Sequence, residues 1–193
     1  MESEVKAGLP VLAFERAQDF AAWLEAHLTD AGLWLKIAKK DSGVTTITYA
    51  QGLEVALCYG WIDGQKQAYD ARYFLQKFTP RRPKSVWSKV NVQKVEALIA
   101  AGKMRSAGLA AVEAAKADGR WAAAYDSART MTMPDDFAAA LEANPKAKEF
   151  WATLNKTNTY AFLYRIQSAK KPETRAARIE KFVAMLAAGE KLY

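Results

Sequence analysis

The chain has 193 residues, of which 51% are hydrophobic and 25% charged, a balance that supports a packed core and excludes global disorder. A single cysteine, Cys58, excludes an intramolecular disulfide, and together with the single histidine, His27, it cannot supply a conventional zinc site. No run of about 18 apolar residues is present, so no transmembrane segment is expected. The start MESEVKAGLPVLAF carries acidic residues where a secretory signal would be basic, which makes the expected location cytoplasmic.

Phe20, Trp23, Leu24, His27 and Leu28 recur at helical spacing, predicting a first helix from about Arg16 to Leu28 that Gly32 breaks. Leu33, Leu35 and Ile37 alternate with Trp34, Lys36 and Ala38 as in a half-buried strand. Asp41-Ser42-Gly43 then reads as the turn of a hairpin whose second strand is Val44 to Ile47. Thr48 followed by Gln51 is a capping-box pattern, so a second helix is expected from Tyr49, with Gly60 as its left-handed cap. Trp61 to Tyr69 and Arg72 to Phe78 read as two strands joined by a tight turn at Asp70.

After Pro80 and Pro83 the pattern turns helical. Helices are expected after Ser88, from Ser106 to Asp118, and at Pro134 and Pro145, the last with Asn144 as cap; two more follow, the final one starting at Pro172. In that final helix Arg175, Arg178 and Lys181 are expected on an outward, solvated face. The fold class is thus α+β: a small antiparallel sheet of about four strands with helices over residues 1–84, then a helical subdomain over 85–193 packed closely against it, with one domain and two subdomains both open at this length.

The net charge of +7 is unevenly distributed. From Ala71 to Val95 there are seven basic residues (Arg72, Lys77, Arg81, Arg82, Lys84, Lys89, Lys94) and no acidic one. Such a field attracts anions: nucleic acid, phosphorylated metabolites or anionic headgroups. Arg81 and Arg82, between two prolines that restrict the backbone, present guanidinium forks suited to phosphate or carboxylate. Lys84, Ser85, Ser88 and Asn91 add donors near a helix start, where negative charge is favoured. Tyr59, Trp61 and Trp87 are the aromatic members of this candidate site, Tyr59 and Trp87 as stacking surfaces, and Asp63, Asp70 and Arg72 complete it. The alternative is internal use: Arg81 or Arg82 paired with Asp63 or Asp70, Trp87 as a core residue, Ser88 as a cap.

Several chemistries are disfavoured. The only histidine lies among core-type residues, against a serine or cysteine triad. Gly60 and Gly64 lack the Lys-Ser/Thr of a phosphate-binding loop. Asp63 before Gly64 reads as a turn former, and Cys58 on the last turn of an apolar helix reads as a small buried hydrophobe.

The blocks CYGWIDG (58–64), FTPRRPKSVWSKVN (78–91), GKMRSAGLAAVEAAKADGRW (102–121) and AKKPETRAARI (169–179) resemble, in order and spacing, the YdeI/OmpD-associated, or bacteriocin-protection, family. The resemblance implies a role in bacterial stress and resistance to antimicrobial peptides, and carries no catalytic residue, cofactor or metal to this chain. The expected function is therefore a non-catalytic binder of an anionic ligand or macromolecule. The alternatives are a nucleic-acid-binding protein, and a small-molecule enzyme using Asp63 or Asp70 with Arg81 and Ser85 on an anionic substrate.

Overall fold

A computed structural model describes residues 4–193. The α+β class is as expected, with strands confined to the first half of the chain and helices alone after it. The order is β1 (Val5–Lys6), β2 (Leu9–Leu12), α1 (Ala17–Ala26), β3 (Leu33–Ala38), α2 (Tyr49–Cys58), β4 (Trp61–Ala68), β5 (Tyr73–Pro80) and then α3 (Lys89–Ala100), α4 (Ser106–Ala117), α5 (Asp135–Glu142), α6 (Pro145–Ala152), α7 (Lys156–Gln167) and α8 (Pro172–Ala187). Contacts divide the chain into two compact units. The first holds the described residues through Val86 together with Asn91–Ala123; the second holds Trp87–Val90 and Ala124–Tyr193.

In the first unit the sheet has five strands in the order β1-β2-β3-β5-β4, and it is mixed rather than antiparallel, because β2 and β3 run parallel across the α1 crossover. The extra strands come from an N-terminal hairpin. Its two-residue turn, Ala7-Gly8, holds both residues at positive φ (49° and 75°), as a type I′ connection requires. The second strand expected at Val44–Ile47 does not form. β2 pairs with β3 only at Trp34 and Leu35, so β3 keeps an edge at Lys36–Ala38, but the segment meets that edge through a side chain rather than a backbone ladder. Thr46 Oγ1 accepts the Ala38 N–H at 2.8 Å, and the Ile47 N–H donates to the Phe14 carbonyl at 2.9 Å.

Leu33, Leu35 and Ile37 of β3 lie opposite Phe78, Gln76 and Phe74 of β5, and most of this row is buried with Phe20 and Leu24 of α1 and Leu53 and Leu57 of α2. Gly32, at φ 140°, lets β3 start against β5: a Cβ there would meet the Phe78 carbonyl oxygen at 2.6 Å. Helix α2 starts with the expected capping box, the Gln51 N–H donating to Thr48 Oγ1 and the Thr48 N–H to Gln51 Oε1. Its far end meets α4 at backbone contact. A Cβ on Gly108 would lie 2.2 Å from the Cys58 carbonyl oxygen, and one on Gly60 would lie 2.9 Å from the Ala107 carbonyl oxygen.

The second unit is built around Phe137, Leu141, Phe162, Ile166, Phe182 and Leu186, with Trp151 edge-on to Phe137 and Phe162. Asn144 caps α6 as expected, and Asn155 does the same for α7. The face of α8 expected to be solvated is partly tied down. Arg175 grips Asp136 through two nitrogens at 2.6 and 2.8 Å, and Arg178 donates to the Arg165 carbonyl. The reason is local: Asp136, in the first turn of α5, lies within reach of α8, a pairing that helical periodicity within α8 does not display.

Candidate functional site

The β4–β5 hairpin organises the candidate residues of the first unit, and it separates them. Trp61 pairs with Pro80 and Asp63 with Phe78, and the Arg81 N–H donates to the Gly60 carbonyl at 2.9 Å. Tyr59, Gly60, Trp61, Asp63, Arg81 and the residues just after it therefore share one end of the hairpin. Asp70 and Arg72 sit at the other end, across the eight residues of β5, about 25 Å away at strand rise. A constellation joining Asp70 to Arg81 and Ser85 is not assembled.

At the turn end, Asp70 Oδ1 accepts the N–H groups of Arg72 and Tyr73, each at 2.7 Å, which closes the tight turn. Burial opposes ionisation of Asp70, but these two N–H bonds hold its pKa below the usual carboxylate value. Arg72 is exposed. Asp63 accepts a hydrogen bond from the Tyr49 hydroxyl at 2.8 Å, and burial with the nearby Asp63 charge raises the Tyr49 pKa, so that hydroxyl stays a donor.

At the open end the backbone folds into a small loop. Arg82 N–H donates to Ser85 Oγ at 3.0 Å and the Ser85 N–H returns to the Arg82 carbonyl at 2.9 Å. Arg81 Nη1 donates to the Val86 carbonyl at 3.3 Å, so part of this guanidinium serves the loop itself. Arg82 and Lys84 are exposed, and Ser85 is half-buried. Arg120, which nothing in the sequence signalled, pins the same loop: Nη1 donates to the Ser85 carbonyl at 2.8 Å while Nε holds Asp118.

The aromatic members are core residues. Tyr59, Trp61 and Trp87 are 6%, 1% and 2% exposed. Tyr59 and Trp87 thus have almost no surface from which to stack on a ligand, which corrects the expectation placed on them; large aromatic area in an apolar setting goes inward. Burial also pushes the Tyr59 hydroxyl up in pKa against the pull of Arg105, and pushes the Cys58 thiol up, as suits an unreactive core cysteine.

In the second unit, Ser88 forms an isolated parallel bridge with Tyr125 immediately before α3, flanked by Tyr125 N–H to Trp87 carbonyl at 3.0 Å and Lys89 N–H to Tyr125 carbonyl at 2.9 Å. Lys89 pairs with Asp126. Asn91, which belongs to the first unit, is half-buried in the first turn of α3. His27 is structural, stacked on Trp23 at 4.1 Å and donating from Nδ1 to the Trp23 carbonyl at 2.6 Å.

Among the described residues no three of His, Cys, Asp or Glu gather where a metal ion could sit, and no helix is long and apolar enough to cross a membrane. No curated protein and no solved structure matches the chain. Residues 130–189 match the family described as Bacteriocin-protection, YdeI or OmpD-Associated. That segment contains AKKPETRAARI, whereas CYGWIDG and FTPRRPKSVWSKVN fall in residues 12–111, which match a different description. Those residues, just over half of the chain, match the Domain of unknown function (DUF8412), and to that family the chain belongs.

Proposed function

We propose that the protein acts in bacterial stress defence against antimicrobial peptides as a binder of an anionic partner, with the exposed part of the basic segment Arg72–Lys94 as its contact surface. Two supports stand behind this reading: the match of residues 130–189 to a bacteriocin-protection family, and the run from Ala71 to Val95 without a carboxylate. The observation that carries the binding surface is the loop after β5. Its backbone is closed by Ser85, its carbonyls are held by Arg81 and Arg120, and Arg82 and Lys84 are left on the surface. A pre-ordered loop loses little entropy when its cations meet phosphate or carboxylate. Exposed cations on a closed loop support binding of an anion.

A nucleic acid is one polyanion that would meet these cations; of the aromatics interleaved with them, Phe78 and Trp87 are in the core and offer no stacking face, while Tyr73 and Phe74 are half-buried. The test is survival of bacteria lacking the gene when challenged with a cationic antimicrobial peptide, complemented by wild type or by the Arg82→Glu/Lys84→Glu variant at matched protein level. Wild type should restore survival and the variant should not. Equal rescue by both would reject the loop as the working surface.

A further inference from the structure

A second basic feature lies at the opposite end of the sheet, outside the loop invoked above. A pocket of about 400 Å³ is lined by Lys39, Lys40, Lys66, Gln67 and Phe74 with two alanines, and its lining holds no carboxylate. Its cations come from distant parts of the sequence. Lys39 and Lys40 follow the last residue of β3, where the Lys39 N–H donates to the Arg72 carbonyl at 2.7 Å and its Nζ to the Asp70 carbonyl at 2.6 Å. These bonds lock the end of β3 to the β4–β5 turn.

Lys66 arrives by a different device. Asp63 faces Phe78 and Lys66 faces Gln76, so β4 spends three residues where β5 spends two. By strand alternation Lys66 would point away from the face that carries Asp63; the extra residue of the bulge returns it to that face, beside Phe74, with Nζ 4.2 Å from the ring centre. The bulge is stabilised from within. Gln76, 3% exposed, donates through Nε2 to the carbonyls of Gly64 at 3.0 Å and Gln65 at 3.3 Å. A buried glutamine used to satisfy bulge carbonyls, with a lysine as the side chain redirected, marks the pocket as built rather than incidental.

We propose that this pocket binds the phosphate groups of a small phosphorylated molecule carrying a di- or triphosphate. The volume is at the lower end of metabolite pockets. Three lysines line this pocket, Lys39 Nζ donating to the Asp70 carbonyl and Lys66 Nζ lying over the Phe74 ring, and a multivalent anion offsets more of their charge than a single carboxylate, which offsets one of them only. No guanidinium lines the pocket to form the planar fork that carboxylates favour, whereas lysine serves phosphate as a compact point charge. Asp41, exposed and next in sequence to Lys40, and Asp70, exposed in the turn whose carbonyl accepts Lys39 Nζ, are carboxylates that compete for these cations, and the phosphate must outweigh them.

The test is calorimetric titration of the full chain with inorganic tripolyphosphate at low salt. Wild type should bind one equivalent saturably. Lys40→Glu/Lys66→Glu, checked for fold by circular dichroism, should weaken binding by about tenfold or more, and Lys66→Arg, which keeps the charge, should stay within about threefold. Arg82→Glu/Lys84→Glu should bind like wild type, which separates this site from the loop. Absence of saturable binding, or equal binding by the Lys40→Glu/Lys66→Glu variant, overturns the proposal.

Discussion

Two basic stretches of this chain look alike on paper and differ in the fold. In the second unit, Arg165, Arg175 and Arg178 spend their donors on the protein: Arg175 on Asp136 and the Ile166 carbonyl, Arg178 on the Arg165 carbonyl, Arg165 on the Ala161 carbonyl and the Tyr193 hydroxyl. In the first unit, Arg72, Arg82 and Lys84 stay on the surface while the backbone around them is closed by other groups. The difference teaches that a cation is available for a partner when something else holds its loop. In α8 the arginines are themselves the fasteners.

The largest expected effect breaks the frame under the loop. Gly108→Val would drive a side chain into the Cys58 carbonyl and force α4 away from Gly60, whose carbonyl receives Arg81. It should cost about 3 kcal/mol or more in urea unfolding followed by circular dichroism. Next, Arg175→Ala removes a two-nitrogen grip and a carbonyl bond, and should cost about 1–2 kcal/mol by the same measurement. The surface variant Arg82→Glu/Lys84→Glu should change stability by less than about 0.5 kcal/mol, since neither side chain holds the loop.

Acid sharpens the same comparison. The Arg175 guanidinium beside Asp136 holds its carboxyl below the usual range. A depressed carboxylate pKa contributes stability that is present above the unfolded-state value and is lost as pH falls through the lowered folded value. Wild type should therefore lose this contribution on acidification below the ordinary carboxylate range. Asp136→Asn, already without it at neutral pH, should show a shallower acid dependence in thermal unfolding. A parallel pair of curves would show that the grip is not linked to folding.

Local signals were legible in the sequence where one short stretch sets the structure. The Thr48/Gln51 capping box, the Asn144 cap, the Asp70 turn and the helix from Ser106 stand as read. What escaped depended on distant partners. The Ala7-Gly8 turn lacks the Asn or Asp that usually announces a type I′ hairpin, so β1 and β2 carry no hairpin signal. Val44 to Ile47 has strand composition but meets β3 only through the Thr46 side chain. The candidate site was partly legible: the basic run marked the loop at Arg82 and Lys84. It also merged Arg72 with Arg81, although the length of β5 lies between them, and it could not show that Lys66 meets Lys39 and Lys40 through a bulge held by Gln76.

The most direct test of the account is fluorescence-anisotropy binding of labelled single- and double-stranded oligonucleotides, used as polyanion probes, across a salt series. Wild type should bind at low salt with affinity falling steeply as salt rises. Arg82→Glu/Lys84→Glu should lose most of that binding, while a control with the second unit's Lys181→Glu/Lys191→Glu retains it. No binding by wild type at low salt, or equal loss in both variants, would contradict the claim that the loop after β5 is the anion-contacting surface.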